Sequence, residues 1–169
     1  CSLKLQAEAP DAVEGSFLIK EQRELAVQLF MAGIHAAEPY TITKRAVLKH
    51  VEQFENKPVT VIATGKASLP MVSGAFDALD RSSIVRAIGV TNRENLTELP
   101  GADVFPAGHP VPDQEGLRAA EAIIECASSL TDSDVLLFLI SGGTSAMLPA
   151  PAGELTLKDE IAATEALLA

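Results

Sequence analysis

The residues whose types and spacing suit chemistry cluster in Ser141, Gly142, Gly143, Thr144 and Ser145, within the stretch VLLFLISGGTSAMLP (135–149). Two adjacent glycines turn the backbone tightly and leave no Cβ in the way of a ligand. Flanking hydroxyls and freed backbone N–H groups complete a concave, donor-rich loop suited to phosphate or carboxylate. The apolar run before it, Val135 to Ile140, is too short to span a membrane and suits a strand buried on both faces. A Gly-Ser turn behind a core strand is the plain alternative. Three hydroxyls around the glycines, at the carboxyl end of a parallel strand, favour a site.

Lys66 follows Gly65 at the end of a second apolar run, VTVIA (59–63), and opens a helix. A lysine there opposes the helix dipole unless an anion sits between them. Its functional reading is a point charge for a phosphoryl group or a substrate carboxylate, against the alternative of a solvated surface lysine. The loop is not a Walker A motif: Ala67 stands where a magnesium-binding Ser or Thr is needed. The third stretch, AGHPVPD (107–113), holds His109 and Asp113 on a loop stiffened by two prolines. Asp113 suits a helix N-cap and a ligand equally. His109 suits substrate binding, acid–base work or a hydrogen bond within its loop, and a positioning role is favoured.

The elements that must carry these loops alternate in type. Apolar spacing predicts helices over 20–37 and 42–54, a strand over 59–63 and a helix over 67–79. It predicts strands over 84–90 and 103–106, a helix from Asp113 to about Ser129, the strand 135–140, and a last helix opened by a Thr156/Asp159 capping box. Residues 1–19 read as an N-terminal arm and 20–169 as one α/β domain. Alternation argues for a parallel sheet covered on both faces, whose ligands sit beyond the carboxyl ends of the strands. Gly65-Lys66, Thr91-Asn92, Gly108-His109 and Ser141–Ser145 all fall there.

The charge of −10, from 13 Lys and Arg against 23 Asp and Glu, argues against nucleic acid and anionic lipid as partners. Cys1 and Cys126 fit neither a disulfide framework nor a metal site, and Cys126 reads as a small core residue. A chain opening on Cys1 reads as processed or as a fragment. With no leader or membrane segment, the cytoplasm is the expected location. A dinucleotide fingerprint is missing after the first strand, and Ser141 and Ser145 do not sit in a hydrolase elbow.

Five strings together resemble the glycerate 2-kinases whose carboxyl half is the MOFRL domain. They are Gly65-Lys66-Ala67 with Pro70-Met71, Gly89-Val90-Thr91, Ala107–Asp113, Ser141–Ala146, and Leu148-Pro149-Ala150-Pro151. The resemblance runs from about Arg23 to Ala169. It implies a three-layer, Rossmann-like sheet and a kinase that uses ATP and Mg2+ to convert D-glycerate to 2-phosphoglycerate in a cleft between two α/β domains. Lys66 matches the family's catalysis-associated lysine. Gly65, His109, Asp113 and Ser141–Ser145 become the substrate- and phosphate-binding set. Thr144 departs from the family's third glycine, and the carboxyl-terminal domain is expected to be absent. The alternatives are an NAD(P)-linked hydroxypyruvate reductase and an anion-binding module without turnover. Self-association is expected through apolar residues of the last helix, Ile161, Ala162, Leu167 and Leu168.

Overall fold

Five of the six residues of β1 (Val59–Thr64) are β-branched, and all six are buried. Such residues suit a strand with both faces covered, and in the computed structural model β1 lies inside a four-stranded sheet of order β3-β2-β1-β4. Its neighbours are β2 (Ile84–Asn92) and β4 (Val135–Ile140), with β3 (Asp103–Ala107) beyond β2. All three pairings are parallel. Residues 12–169 are described.

The chain divides after Glu38 into two compact units. In the first, α1 (Ala12–Ala36) includes the expected 20–37 helix but starts earlier. Ala12–Ile19, expected as part of an N-terminal arm, are helical, while residues 1–11, with Cys1, lie outside the described residues. The second unit, Pro39–Ala169, carries the sheet and every strand-end loop.

There α2 (Pro39–Lys49) and α3 (Ser68–Phe76) pack together, and Val47, Val72, Ala75 and Phe76 join Val59, Val61 and Ala63 of β1 in one core cluster. Gly74 lets α3 come this close: a Cβ there would lie 2.4 Å from the Tyr40 carbonyl oxygen. On the other face α4 (Gln114–Ser128) and the short α5 (Thr144–Met147) cover Ile62, Ile88 and Val90 with Ala119, Ile123, Cys126 and Met147. Cys126 is free and buried, as expected of a small core residue. The last helix, α6 (Leu157–Leu168), opens on the anticipated Thr156/Asp159 capping box.

One expectation is overturned. The most apolar run was read as a strand buried on both faces, yet β4 is a sheet edge. Val135, Leu137 and Leu139 pack against the core, whereas Leu136, Phe138 and Ile140 are 39%, 37% and 65% exposed. Residues alternate between faces along a strand, and at this edge only one face of β4 meets a packed layer.

Candidate functional site

The carboxyl ends of β1 and β4 are tied into one hydrogen-bonded knot. Ser141 continues the pairing, its N–H donating to the Thr64 carbonyl at 2.9 Å. Its hydroxyl donates to the same carbonyl at 3.0 Å and accepts from the Ala67 N–H at 3.1 Å. The Lys66 N–H donates to the Gly142 carbonyl at 2.9 Å. Thr144 closes the loop: its hydroxyl donates to the Ser141 carbonyl at 2.9 Å and lies 3.0 Å from the Thr64 hydroxyl.

Gly65 makes that knot possible. Its φ is +105°, and a Cβ would lie 2.3 Å from the Ser141 hydroxyl oxygen. Thr144, the departure from the family loop, braces it through its hydroxyl. Two of the three hydroxyls expected to face a ligand, Ser141 and Thr144, instead hold the loop in shape. The groups left over are the exposed Ser145 and the N–H groups of Thr144, Ser145 and Ala146, the first turn of α5, which have no acceptor among the described residues. Above Gly142 the space is open, with nothing within 4 Å of a built Cβ.

Lys66 is exposed, and its amine makes no ion pair among the described residues. Its carbonyl accepts the side-chain amide of Asn95 at 3.0 Å. Asn95 ends a short 3-10 turn, Arg93–Asn95, that follows β2. Arg93 reaches from the same turn to Asp113, with N and O 2.5 Å apart.

Asp113 is the N-cap of α4, accepting the Gly116 N–H at 2.9 Å. Burial pushes its carboxyl up, but the Gly116 N–H, the Arg93 guanidinium and the Gly108 N–H outweigh burial and hold it below the ordinary aspartate range. Of its two anticipated roles, the cap is the one the geometry displays. His109 turns its ring toward the glycine loop, so that a Cβ on Gly143 would lie 3.0 Å from Cδ2 and 3.2 Å from Nε2. The Glu94 carboxyl is held below its ordinary range by its own N–H and the Asn92 amide, with the nearby His109 and Arg93 acting in the same direction.

The structure thus brings Gly65, Lys66, Ser141, Gly142 and Thr144 into one knot and sets His109 against Gly143. An open cleft of about 710 Å³ runs alongside, lined in part by His109, Gly143, Ser145, Glu160 and Thr164. A cavity of about 780 Å³ lies elsewhere, an apolar groove between α2 and β4 that includes Phe54, Met71, Leu137 and Leu139. Three buried polar atoms are without partners among the described residues: Thr91 Oγ1 and Asn92 Oδ1 in the last two residues of β2, and Ser68 Oγ in the first residue of α3. Leaving such atoms unpaired costs about 1–3 kcal/mol each, a cost seen more often at functional sites than in plain cores. Sequence reasoning missed Glu94, Asn95 and Glu160, since each is an isolated polar residue in a solvated segment.

A three-layer α/β domain with its polar loops gathered past the carboxyl ends of parallel strands is a ligand-binding class of fold. Residues 25–169 match the model described as Domain of unknown function (DUF4147), and the chain belongs to that family. A glycerate 2-kinase from Pyrococcus horikoshii is 32% identical over 154 residues, covering 86% of this chain and 34% of the relative. An Agrobacterium vitis protein, 34% identical over 150 residues and covering 87% of this chain and 32% of its own, carries a hydroxypyruvate reductase name. The crystal structure of glycerate kinase from Thermotoga maritima superposes with a TM-score of 0.74 at 28% identity, covering 88% of this chain and 35% of that one. The chain spans about a third of the length of the curated relatives it matches.

Proposed function

We propose that this chain supplies one wall of the active-site cleft of a glycerate 2-kinase, in which a hydroxyl of D-glycerate attacks the γ-phosphoryl group of ATP. The observation that carries the reading is Lys66: an exposed amine with no ion pair among the described residues, on a backbone fixed at both its N–H and its C=O, beside a Gly142 that leaves open space. In such a transfer the protein acts by positioning and by neutralising charge on the phosphoryl oxygens. Lys66 supplies the positive charge, the first turn of α5 and Ser145 supply donors, and His109 positions substrate at Gly143. Asp113 and Arg93 shape the loop that carries His109.

Charge accounting supports a second α/β domain as the opposing wall. Arg93, the other cation on the strand-end loops, is already engaged by Asp113. One amine does not neutralise a triphosphate. Among the described residues no group of three or more His, Cys, Asp or Glu is placed to hold a metal ion. Any Mg2+ that accompanies ATP is thus assigned no ligand and no step in this chain. The proposal places the protein in the cytoplasm with its nucleotide. No described helix is long and apolar enough to cross a membrane.

The test is product formation by the chain together with the domain that completes the cleft, given ATP and D-glycerate in one assay and NADH and hydroxypyruvate in another. 2-Phosphoglycerate in the first supports the kinase. NADH oxidation in the second, with no phosphorylated product in the first, replaces it with the reductase suggested by the Agrobacterium vitis name. Anion binding without product in either leaves a binding module.

A further inference from the structure

We infer that Asn95 is a positioning residue for Lys66, holding its peptide in the geometry that presents the amine to an anion. The inference rests on the reading of Lys66 given above and adds a residue that no motif points to.

The argument begins with strand lengths. Thr64, the last residue of β1, pairs with Val90, but β2 runs on to Asn92, supported by β3 through the pairing of Asn92 with Ala107. The turn that follows is therefore carried beyond the end of β1, beside the Gly65-Lys66 loop. From it Asn95 donates its side-chain amide to the Lys66 carbonyl at 3.0 Å, while the N–H of Lys66 donates to Gly142 at 2.9 Å. The Lys66 residue is thus fixed at both its N–H and its C=O, by two segments from opposite sides of β1. The same turn sends Arg93 to Asp113, so one three-residue piece fixes two of the site's loops at once.

A purely structural role fits Asn95 poorly. The residue is exposed, belongs to neither core cluster, and caps neither α3 nor α4. What its hydrogen bond restricts is the rotation of the Lys66–Ala67 peptide plane, and with it the direction in which Lys66 leaves the backbone. A charge that must meet a phosphoryl oxygen gains from such pre-organisation.

Asn95→Ala tests this in the full chain with two readouts. The first needs no ligand: hydrogen exchange at the Ala67 amide, which shares its peptide plane with the Lys66 carbonyl and donates to the Ser141 hydroxyl, should accelerate about fivefold or more, the scale of one lost hydrogen bond, while the amides of Ile62 and Ile88 stay unchanged. The second uses inorganic pyrophosphate as the probe. Its affinity should fall about fivefold in Asn95→Ala, and Asn95→Ala should add nothing to the loss already present in Lys66→Ala. Unchanged exchange at the Ala67 amide overturns the inference. So does a loss of affinity that adds fully to that of Lys66→Ala, because Asn95 would then be touching the anion itself. Should the wild-type chain bind no pyrophosphate, the reading of Lys66 fails instead, and exchange at the Ala67 amide alone decides whether Asn95 holds the Lys66 peptide.

Discussion

The ring of His109 lies against Gly143, close enough that any side chain at that position would meet Cδ2 and Nε2 within 3.0 to 3.2 Å. Gly143 also sits at φ +91° and caps α5. Gly142, one residue earlier, has neither constraint and faces open space. The two glycines should therefore fail in different ways. Gly143→Val should destabilise the domain by about 1–3 kcal/mol and displace His109. Gly142→Val should keep the melting temperature within a few degrees of wild type, the shift expected of about 0.5 kcal/mol or less, while it blocks approach to the loop. Thermal melts with pyrophosphate titration check both. Unaltered affinity in Gly142→Val would show that no ligand approaches there.

Lys66→Ala should leave the fold intact, with a stability change of at most about 1 kcal/mol, because the side chain is exposed and makes no ion pair among the described residues. Affinity for pyrophosphate should drop at low ionic strength, and the remaining affinity should depend less steeply on salt. Calorimetric titration at two salt concentrations checks this. Wild-type affinity in the variant would remove Lys66 from the site.

Asp113 predicts an acid-side stability change with a definite sign. Its carboxyl is held below the ordinary value of 3.8 in the folded chain, so the ionised form is bound more tightly by the fold than by the unfolded chain. The resulting stabilisation is fully present above that ordinary value and disappears as pH falls through the lower, folded value. Asp113→Ala should cost about 1 kcal/mol near neutrality through loss of the α4 cap. The gap between wild type and variant should narrow as pH is taken below the ordinary aspartate value. Denaturant melts across that range give the answer. A gap independent of pH would mean that the carboxylate charge contributes nothing.

Alone, the 169-residue chain should form no measurable 2-phosphoglycerate from ATP and D-glycerate, because one exposed amine and a short run of N–H donors cannot surround a triphosphate and an attacking hydroxyl. It should also self-associate. Leu167 and Leu168 of α6 are 88% and 58% exposed, and β4 adds an uncharged free edge. Sedimentation should show a species heavier than 17.8 kDa whose proportion grows with concentration, and Phe138→Lys with Leu167→Lys should return it toward monomer. A monomer that turns over would refute the two-walled cleft.

Element types were legible in the sequence because periodicity reports which faces are covered. The strands over 59–63, 84–90 and 135–140 were each located to within two residues, and the Asp113 and Thr156 caps were found from the residue types that suit them. Lateral order was not legible. VTVIAT and VLLFLI are similarly apolar, yet the first is central and the second an edge, since hydropathy says nothing of which strands pair. The site was legible as a set of loops but not as a set of roles. That the Ser141 hydroxyl faces inward is decided by how closely Gly65 approaches it, and the Thr144 hydroxyl follows by bonding to the Ser141 carbonyl. The bond from Asn95 to Lys66 depends on β2 outrunning β1, which only the register reveals.

The tie between Thr64 and Ser141 joins positions 77 apart in the chain, and this sets an order of events during synthesis. By the time α4 emerges from the ribosome, β1 has β2 on one side and nothing on the other. The nascent domain then exposes a buried-type strand edge until Val135–Ile140 follows, the interval in which partly folded chains are most open to aggregation and to chaperones. Lys66 cannot acquire its fixed backbone before that moment, because Gly142 has not yet emerged. Growing chains stopped before residue 142 should therefore leave the Lys66 loop unformed even where the β1–β2 pair has already folded.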